Sequence, residues 1–345
     1  MILVDSINPN LNLRKKRQVK SIAELEQGIL AGDRASLSQA LTLAESRLTA
    51  HRAQAEKLVQ NCLPKSGQSL RIGITGVPGV GKSTFIEAFG EYLIKEGKKL
   101  AVLAIDPSSS KTRGSILGDK TRMEQLSQNQ NAFIRPSPSA GSLGGVARKT
   151  REAIILCEAA GYDIILVETV GVGQSETAVK NMVDFFMLLM LPGAGDELQG
   201  IKRGIMEMAD LLLINKADDP KDPKVRLAMG EYKRALHLFP PNQNEWIPAV
   251  DSCSALRGEG LEKIWEHILK FERQQKLKGY FFENRSEQAV SWFDQQIGDH
   301  LFEYLKGLPN FQSNYQQYLA EIRAQNLDPG LAARELLNVC LGGKK

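Results

Sequence analysis

The sequence predicts an α/β fold, with a mainly parallel central sheet of about seven strands flanked by helices and helical extensions at both ends. Three observations carry it. Short apolar runs ending in Gly, Pro or Asp alternate with helix-period stretches from residue 70 to residue 252. Their hydrophobicity is continuous rather than alternating, as in strands buried on both faces. A glycine-rich turn, GVPGVGKS (76–83), joins the first of these runs to a helical stretch.

Composition sets the limits. The chain has 345 residues, 42% hydrophobic and 24% charged, enough for one large α/β domain with helical attachments. A net charge of +4 is too mild to argue for nucleic acid. The basic run Arg14-Lys15-Lys16-Arg17 reads as a solvated arm. Cys62, Cys157, Cys253 and Cys340 are far apart, which argues against a disulfide framework or thiolate metal site and suits a reducing compartment. Cys157, in AIILCEAA, reads as packing. His51, His237, His267 and His300 are equally scattered. The opening MILVDSINPNLNLRKKRQ puts its apolar run before its basic residues, the wrong order for a secretory signal. The longest apolar run, Phe185–Pro192, is far below the ~20 residues of a membrane helix. The expectation is a cytoplasmic protein that meets neither membrane nor nucleic acid.

Residues 20–62 carry helix-period spacing for two or three helices broken near Gly32-Asp33, and PKSG (64–67) closes that segment. The strands follow as LRIGITG, KLAVLAIDP, AFIRP, DIILVET, FFMLLMLP, DLLLINKAD and WIPAVDS. The unusual polar residues are expected at the carboxyl ends of these strands, where such sheets bind ligands. After about residue 262 the texture is helical again. The division is therefore an N-terminal helical extension (1–67), a nucleotide-binding domain (68–262) and a C-terminal arm (263–345).

GVPGVGKS matches the phosphate loop G-x-x-x-x-G-K-[ST], between the strand RIGIT and the helix TFIEAFGEYLIKEG. Gly76, Val77, Pro78, Gly79, Val80 and Gly81 would turn backbone N–H groups toward a β-phosphate. The helix N-terminus, with Ser83 and Thr84, adds its positive end. Lys82 would bridge the β- and γ-phosphates and Ser83 would ligate Mg²⁺. NKAD names the base. A carboxylate at Asp218 can take both the N1–H and the 2-amino proton of guanine, a pair adenine does not offer. Asn215 braces that pocket with Lys216 beside it, and Ser254-Ala255-Leu256 fits a backbone contact to the guanine carbonyl. The ligand is thus GTP or GDP with Mg²⁺.

The strand DIILVET ends on Glu168, placed to reach the metal, and Gly171 follows where its N–H can sense a γ-phosphate. Asp106 ends the strand KLAVLAI, and Asp119 lies in SILGDKTRM. Mg²⁺ keeps several waters, which argues against all three acids ligating directly. Strand-end acids also cap turns, so that role stays open for Asp106 and Glu168. Val172 stands where small GTPases carry a water-orienting glutamine. Hydrolysis should be slow alone and depend on a residue brought in later, with Gln174, Gln199 and Lys202 as candidates.

Together, VLAIDPSSSKTRGSILGDKTRM, VETVGVGQSE, LPGAGDELQGIKRGIMEMAD and NKAD resemble the MeaB/MMAA/ArgK family over roughly residues 20–340. These are P-loop GTPases of the SIMIBI class, chaperones of adenosylcobalamin-dependent methylmalonyl-CoA mutase. The resemblance implies metal-site roles for Asp106, Asp119 and Glu168. It also implies a third switch segment at 191–204, with Gln199 and Lys202 as its functional residues. It further implies that the partner is that mutase or a sister acyl-CoA mutase, and that the protein is a homodimer joined through its C-terminal arm. The aromatics Trp292, Phe293, Phe302, Tyr304, Phe311, Tyr315 and Tyr318 suit either that contact or packing on the nucleotide-binding domain. Two rivals are a SIMIBI GTPase delivering nickel, which would want a Cys/His cluster, and an ATP-dependent small-molecule kinase, which NKAD opposes.

Overall fold

The structure, a computed structural model, describes residues 20–46, 48–106, 123–138, 143–169, 175–193, 203–219, 221–240 and 242–342. Two compact units divide between Lys278 and Gly279.

The first unit is built on one sheet, with β1 (Leu70–Gly76), β2 (Leu100–Asp106), β3 (Ala132–Pro138), β4 (Ile164–Thr169), β5 (Phe185–Met190), β6 (Leu211–Ile214) and β7 (Ala249–Ser252). All seven strands run parallel in the order β3-β2-β4-β1-β5-β6-β7. β4, β5 and β6 are buried throughout, as their unbroken apolar runs require.

Its helices are α1 (Ile22–Leu30), α2 (Arg34–Glu45), α3 (Thr49–Cys62), α4 (Lys82–Lys95), α5 (Glu124–Gln128), α6 (Leu143–Ala159), α7 (Ser175–Lys180), α8 (Arg203–Met208), α9 (Pro223–Leu236) and α10 (Leu261–Lys278). Ser21 and Glu24 close a reciprocal cap on α1, and Asp33 caps α2 through the N–H groups of Ala35 and Ser36. The first three helices pack against one another and on α6. Glu45 ties them to the sheet: its carboxylate receives Arg135 of β3 at 2.5 Å, and its carbonyl receives Lys149 of α6 at 2.6 Å.

Buried polar residues are not confined to the carboxyl ends of the strands, contrary to the sequence expectation. Arg71, near the start of β1, meets the buried Glu158 at 2.8 Å. Asp184 and Asp210, just before β5 and β6, are also buried. They serve as acceptors for neighbouring strand N–H groups: Asp184 for Arg71 and Asp210 for Phe186, each at 2.8 Å. Their cause is structural, because a buried strand start leaves backbone donors that need partners.

The second unit holds α11 (Tyr280–Lys306), α12 (Phe311–Arg323) and α13 (Pro329–Cys340). Leu305, Phe311 and Leu336 form its small core, with Tyr315, Tyr318 and Cys340 against it. Phe293 and Tyr304 are more than half exposed.

Candidate functional site

The glycine-rich turn 76–81 leaves the carboxyl end of β1 and enters α4, as its pattern requires. Gly76 has no room for a side chain, since a Cβ there would lie 2.5 Å from the Leu189 carbonyl oxygen of β5. Gly81 has φ 87°, and a Cβ there would lie 3.1 Å from the Asn215 amide. Val77 and Val80 anchor the turn in the core, while Pro78 and Gly79 face out and Thr84 is exposed in the first turn of α4. The Lys82 ammonium donates to the carbonyls of Gly76 at 2.8 Å and Val77 at 3.4 Å, so it lies across the loop it serves. Burial lowers its pKa, and the negative charges of Glu168 and Glu176 pull it back up.

Asn215, at the end of β6, is buried and joins two loops. Its amide donates to the Val80 carbonyl at 2.8 Å, and its oxygen accepts the Ala255 N–H at 3.2 Å. The Cys253 thiol also donates to that oxygen at 3.5 Å, and burial pushes this thiol up to about 12, so it stays protonated. Lys216 adopts φ 60°, a left-handed conformation costing a non-glycine residue roughly 1–2 kcal/mol. Its stem lies beside Gly81. Asp218 is half-buried and accepts the Ser254 hydroxyl at 2.5 Å, and Ser254 in turn accepts the Arg257 N–H at 3.2 Å. Leu256 is exposed at the rim.

Glu168 is buried at the end of β4, in register with Ile74 of β1 and Ala104 of β2. The buried hydroxyls of Thr169 and Thr75 meet at 2.7 Å and hold the two strand ends together. Glu168 and Lys82 therefore belong to one site, with Ser83 in the first turn of α4. Asp106 ends β2 two positions beyond the residue paired with Glu168, but its side chain lies outside the described residues, as do Asp119, Gly171, Val172, Gln174, Gln199 and Lys202. Among the described residues no three His, Cys, Asp or Glu side chains gather as a metal site. A serine hydroxyl and a carboxylate nonetheless make a hard-oxygen donor set of the kind Mg²⁺ accepts.

Sequence reasoning missed two members of this neighbourhood. Glu176, in the first turn of α7, is fully buried and acts electrostatically on Lys82. Cys253 was one of four scattered cysteines given no role, yet its thiol donates to the Asn215 side-chain oxygen.

A phosphate loop at the carboxyl edge of a parallel sheet, braced by the asparagine of an Asn-Lys-x-Asp turn, defines a P-loop GTPase. Comparison with known proteins narrows the class. The profile of the methylmalonyl-CoA mutase-associated GTPase MeaB family matches residues 37–310. GTPase ArgK of Escherichia coli is 47% identical, over 92% of this chain and 96% of its own. The mouse protein named methylmalonic aciduria type A homolog, mitochondrial, is 45% identical, over 93% of this chain and 80% of its own. A crystal structure titled LAO/AO transport system kinase superposes with a TM-score of 0.73 at 40% identity, covering 92% of this chain and 97% of that one. The chain belongs to the MeaB family of GTPases. Among the described residues no helix is long and apolar enough to cross a membrane.

Proposed function

We propose that this GTPase is a Mg²⁺-dependent switch acting on an adenosylcobalamin-dependent acyl-CoA mutase, most of all methylmalonyl-CoA mutase. Its nucleotide cycle would gate cofactor loading and protect or reactivate the client. The family description and the name of the mouse relative support the client. The observation that carries the nucleotide is the Asn215 bridge, which fixes the phosphate loop and the 253–255 turn in one frame around Asp218. In this reading Gly76–Thr84 and Gly171 hold the phosphates, while Asp218 reads guanine with Asn215, Lys216 and Ser254–Leu256 around it. Ser83, Asp106, Asp119 and Glu168 supply the metal site. Bound there, Mg²⁺ would neutralise charge developing on the phosphates. Lys82 leaves the loop carbonyls to bridge the β- and γ-phosphates, and Gln199 or Lys202 orients or assists the attack when the client is present.

Residues 68–262 form the GTPase domain in this account, residues 1–67 an N-terminal extension, and residues 263–345 a C-terminal extension whose first helix, α10, stays with the first unit and whose dimerisation arm lies beyond Lys278. Val290, Phe293, Ile297, Leu301 and Tyr304 of α11 are about half exposed or more and recur at intervals of three and four residues. That spacing is a seam for a second helix, and a homodimer would cover it. Four free cysteines fit a reducing, cytoplasmic setting.

Two measurements test the reading. Asp218→Asn should weaken GDP by about 1.5–3 kcal/mol and shift preference toward xanthosine nucleotides. Equal affinity for GDP and ADP in the native protein would favour the small-molecule kinase instead. GTP turnover with the purified mutase should rise about a hundredfold if the client supplies ~2.7 kcal/mol to the transition state. That rise should vanish in Gln199→Ala or Lys202→Ala. A native protein indifferent to both methylmalonyl-CoA mutase and its sister enzymes would overturn the client assignment.

A further inference from the structure

We propose that Lys180 and Asp210 form a positioning pair for GTP hydrolysis, which fixes the end of α7 to the base of β6 and so registers α7 against α8. The Lys180 ammonium reaches Asp210 Oδ2 at 2.7 Å. Asp210 is itself tied to the sheet and to Trp246. The same oxygen accepts the Phe186 N–H at 2.8 Å, and the Asp210 N–H donates to the Phe186 carbonyl at 2.8 Å. Its carbonyl receives the Trp246 indole N–H at 2.9 Å. Next to Lys180, the Asn181 carbonyl accepts the Arg151 guanidinium of α6 at 2.9 Å. The carboxyl end of α7 is therefore held from two sides.

The other end of α7 lies at the nucleotide site. Glu176 is fully buried in its first turn, and α7 packs on β1 and β4, the strands that carry the phosphate loop and Glu168. Its charge bears on Lys82, alongside that of Glu168. α7 also packs on α8, which leads through Ala209 directly into Asp210. A displacement of the Glu176 end then becomes a tilt about the Lys180–Asp210 anchor, and α8 lies against the tilting helix.

Stability alone is a poor explanation for the pair. Burial pushes the Asp210 carboxyl up, with Lys180 and the Phe186 N–H opposing, and a buried ion pair is often no better than an apolar replacement. What it supplies is a fixed register between two helices. The proposal rests on the reading of Gly171 as the sensor of the γ-phosphate and of residues 191–204 as a switch segment, since α7 follows the first and α8 begins within the second.

The test is hydrogen exchange of the full-length protein with Mg²⁺, comparing GDP with a non-hydrolysable GTP analogue, together with single-turnover hydrolysis. Amides of 175–182 and 203–209 should change together in the native protein. The double variant Lys180→Met/Asp210→Asn leaves no lone buried charge. It should bind GDP within about threefold of native, lose the response at 203–209, and hydrolyse GTP about tenfold more slowly. Lys180→Arg, with Asp210 intact, should keep both. A response at 175–182 alone in the native protein, or a retained response at 203–209 in the double variant, overturns the pair as a link. Silence at both segments in the native protein removes the underlying loop reading and the pair with it. If the double variant does not fold, the native-protein exchange pattern and Lys180→Arg decide the matter.

Discussion

β5 and α11 are built from similar apolar residues and end in opposite situations. Every residue of β5, Phe185 to Met190, is at most 1% exposed. In α11, with 27 residues, Phe281 and Leu305 are the buried ones, while Phe293 is 63% and Tyr304 62% exposed. Spacing makes the difference. A continuous apolar run needs cover on both faces and finds it in helices, where Phe271 of α10 packs on Phe185 and Lys180 of α7 lies over the Phe186 ring, whereas a three-and-four repeat needs only one covering surface. One region is thermodynamically complete within its own unit. The other leaves an apolar seam exposed along α11.

The comparison can be broken most forcefully at Phe186. Phe186→Ala should cost ~3–5 kcal/mol, read as a lower midpoint for the first unit in denaturant melts. A small loss would mean that β5 is less tightly enclosed than its burial indicates. Phe293→Ser with Ile297→Ser attacks the other side. It should halve the mass in light scattering at micromolar concentration, while the first unit melts within about 0.5 kcal/mol of native, as surface substitutions generally do. An unchanged mass would show that the α11 seam holds no dimer together. Removing 279–345 sharpens the contrast, because GDP affinity should change by less than about threefold if the site belongs wholly to the first unit.

The smallest effect is expected at Asp251 in β7, one of the two edge strands. Burial would push its carboxyl up, but Lys263, the Ser252 N–H and His267 together hold it below the ordinary aspartate value. A lowered folded value means the contribution is present above about pH 4 and lost as pH falls through the folded value. Melting temperature should therefore fall from pH 5 to pH 3 with a steeper slope in the native protein than in Asp251→Asn. The difference should be modest, because Lys263 is largely exposed and screened by solvent. Identical slopes would show that the cluster contributes nothing to acid sensitivity.

The sheet was legible because each strand announces itself locally: LRIGITG, DIILVET and FFMLLM need no knowledge of their neighbours. The phosphate loop and NKAD were legible for a different reason, since backbone approach to phosphate and a carboxylate opposite guanine restrict the residues allowed. The pairs Arg71–Glu158 and Lys180–Asp210 were not legible. Arg71 looks like an interruption in a strand and Asp210 like a turn acid, and only the strand order brings each to its partner. Glu176 was hidden for the same reason, as its burial depends on α7 packing over β1. Asp119, Gly171, Gln199 and Lys202 fall outside the described residues, so their assignments rest on motif and resemblance.

The position of β1 between β4 and β5 also has a consequence for how the chain is made. Thr75 and Thr169 touch across 94 residues, and Arg71 reaches Asp184 across 113. Pairings at such separations are slow to close, because chain entropy is lost well before contacts compensate. On a ribosome adding about 5–20 residues per second, β1 waits on the order of ten seconds for its second neighbour. Gly76 is walled by Leu189 of that neighbour, so the phosphate loop acquires its shape only then. Nucleotide added during refolding should raise the final yield without shortening the slow phase, since it fastens a finished sheet and cannot template an unfinished one.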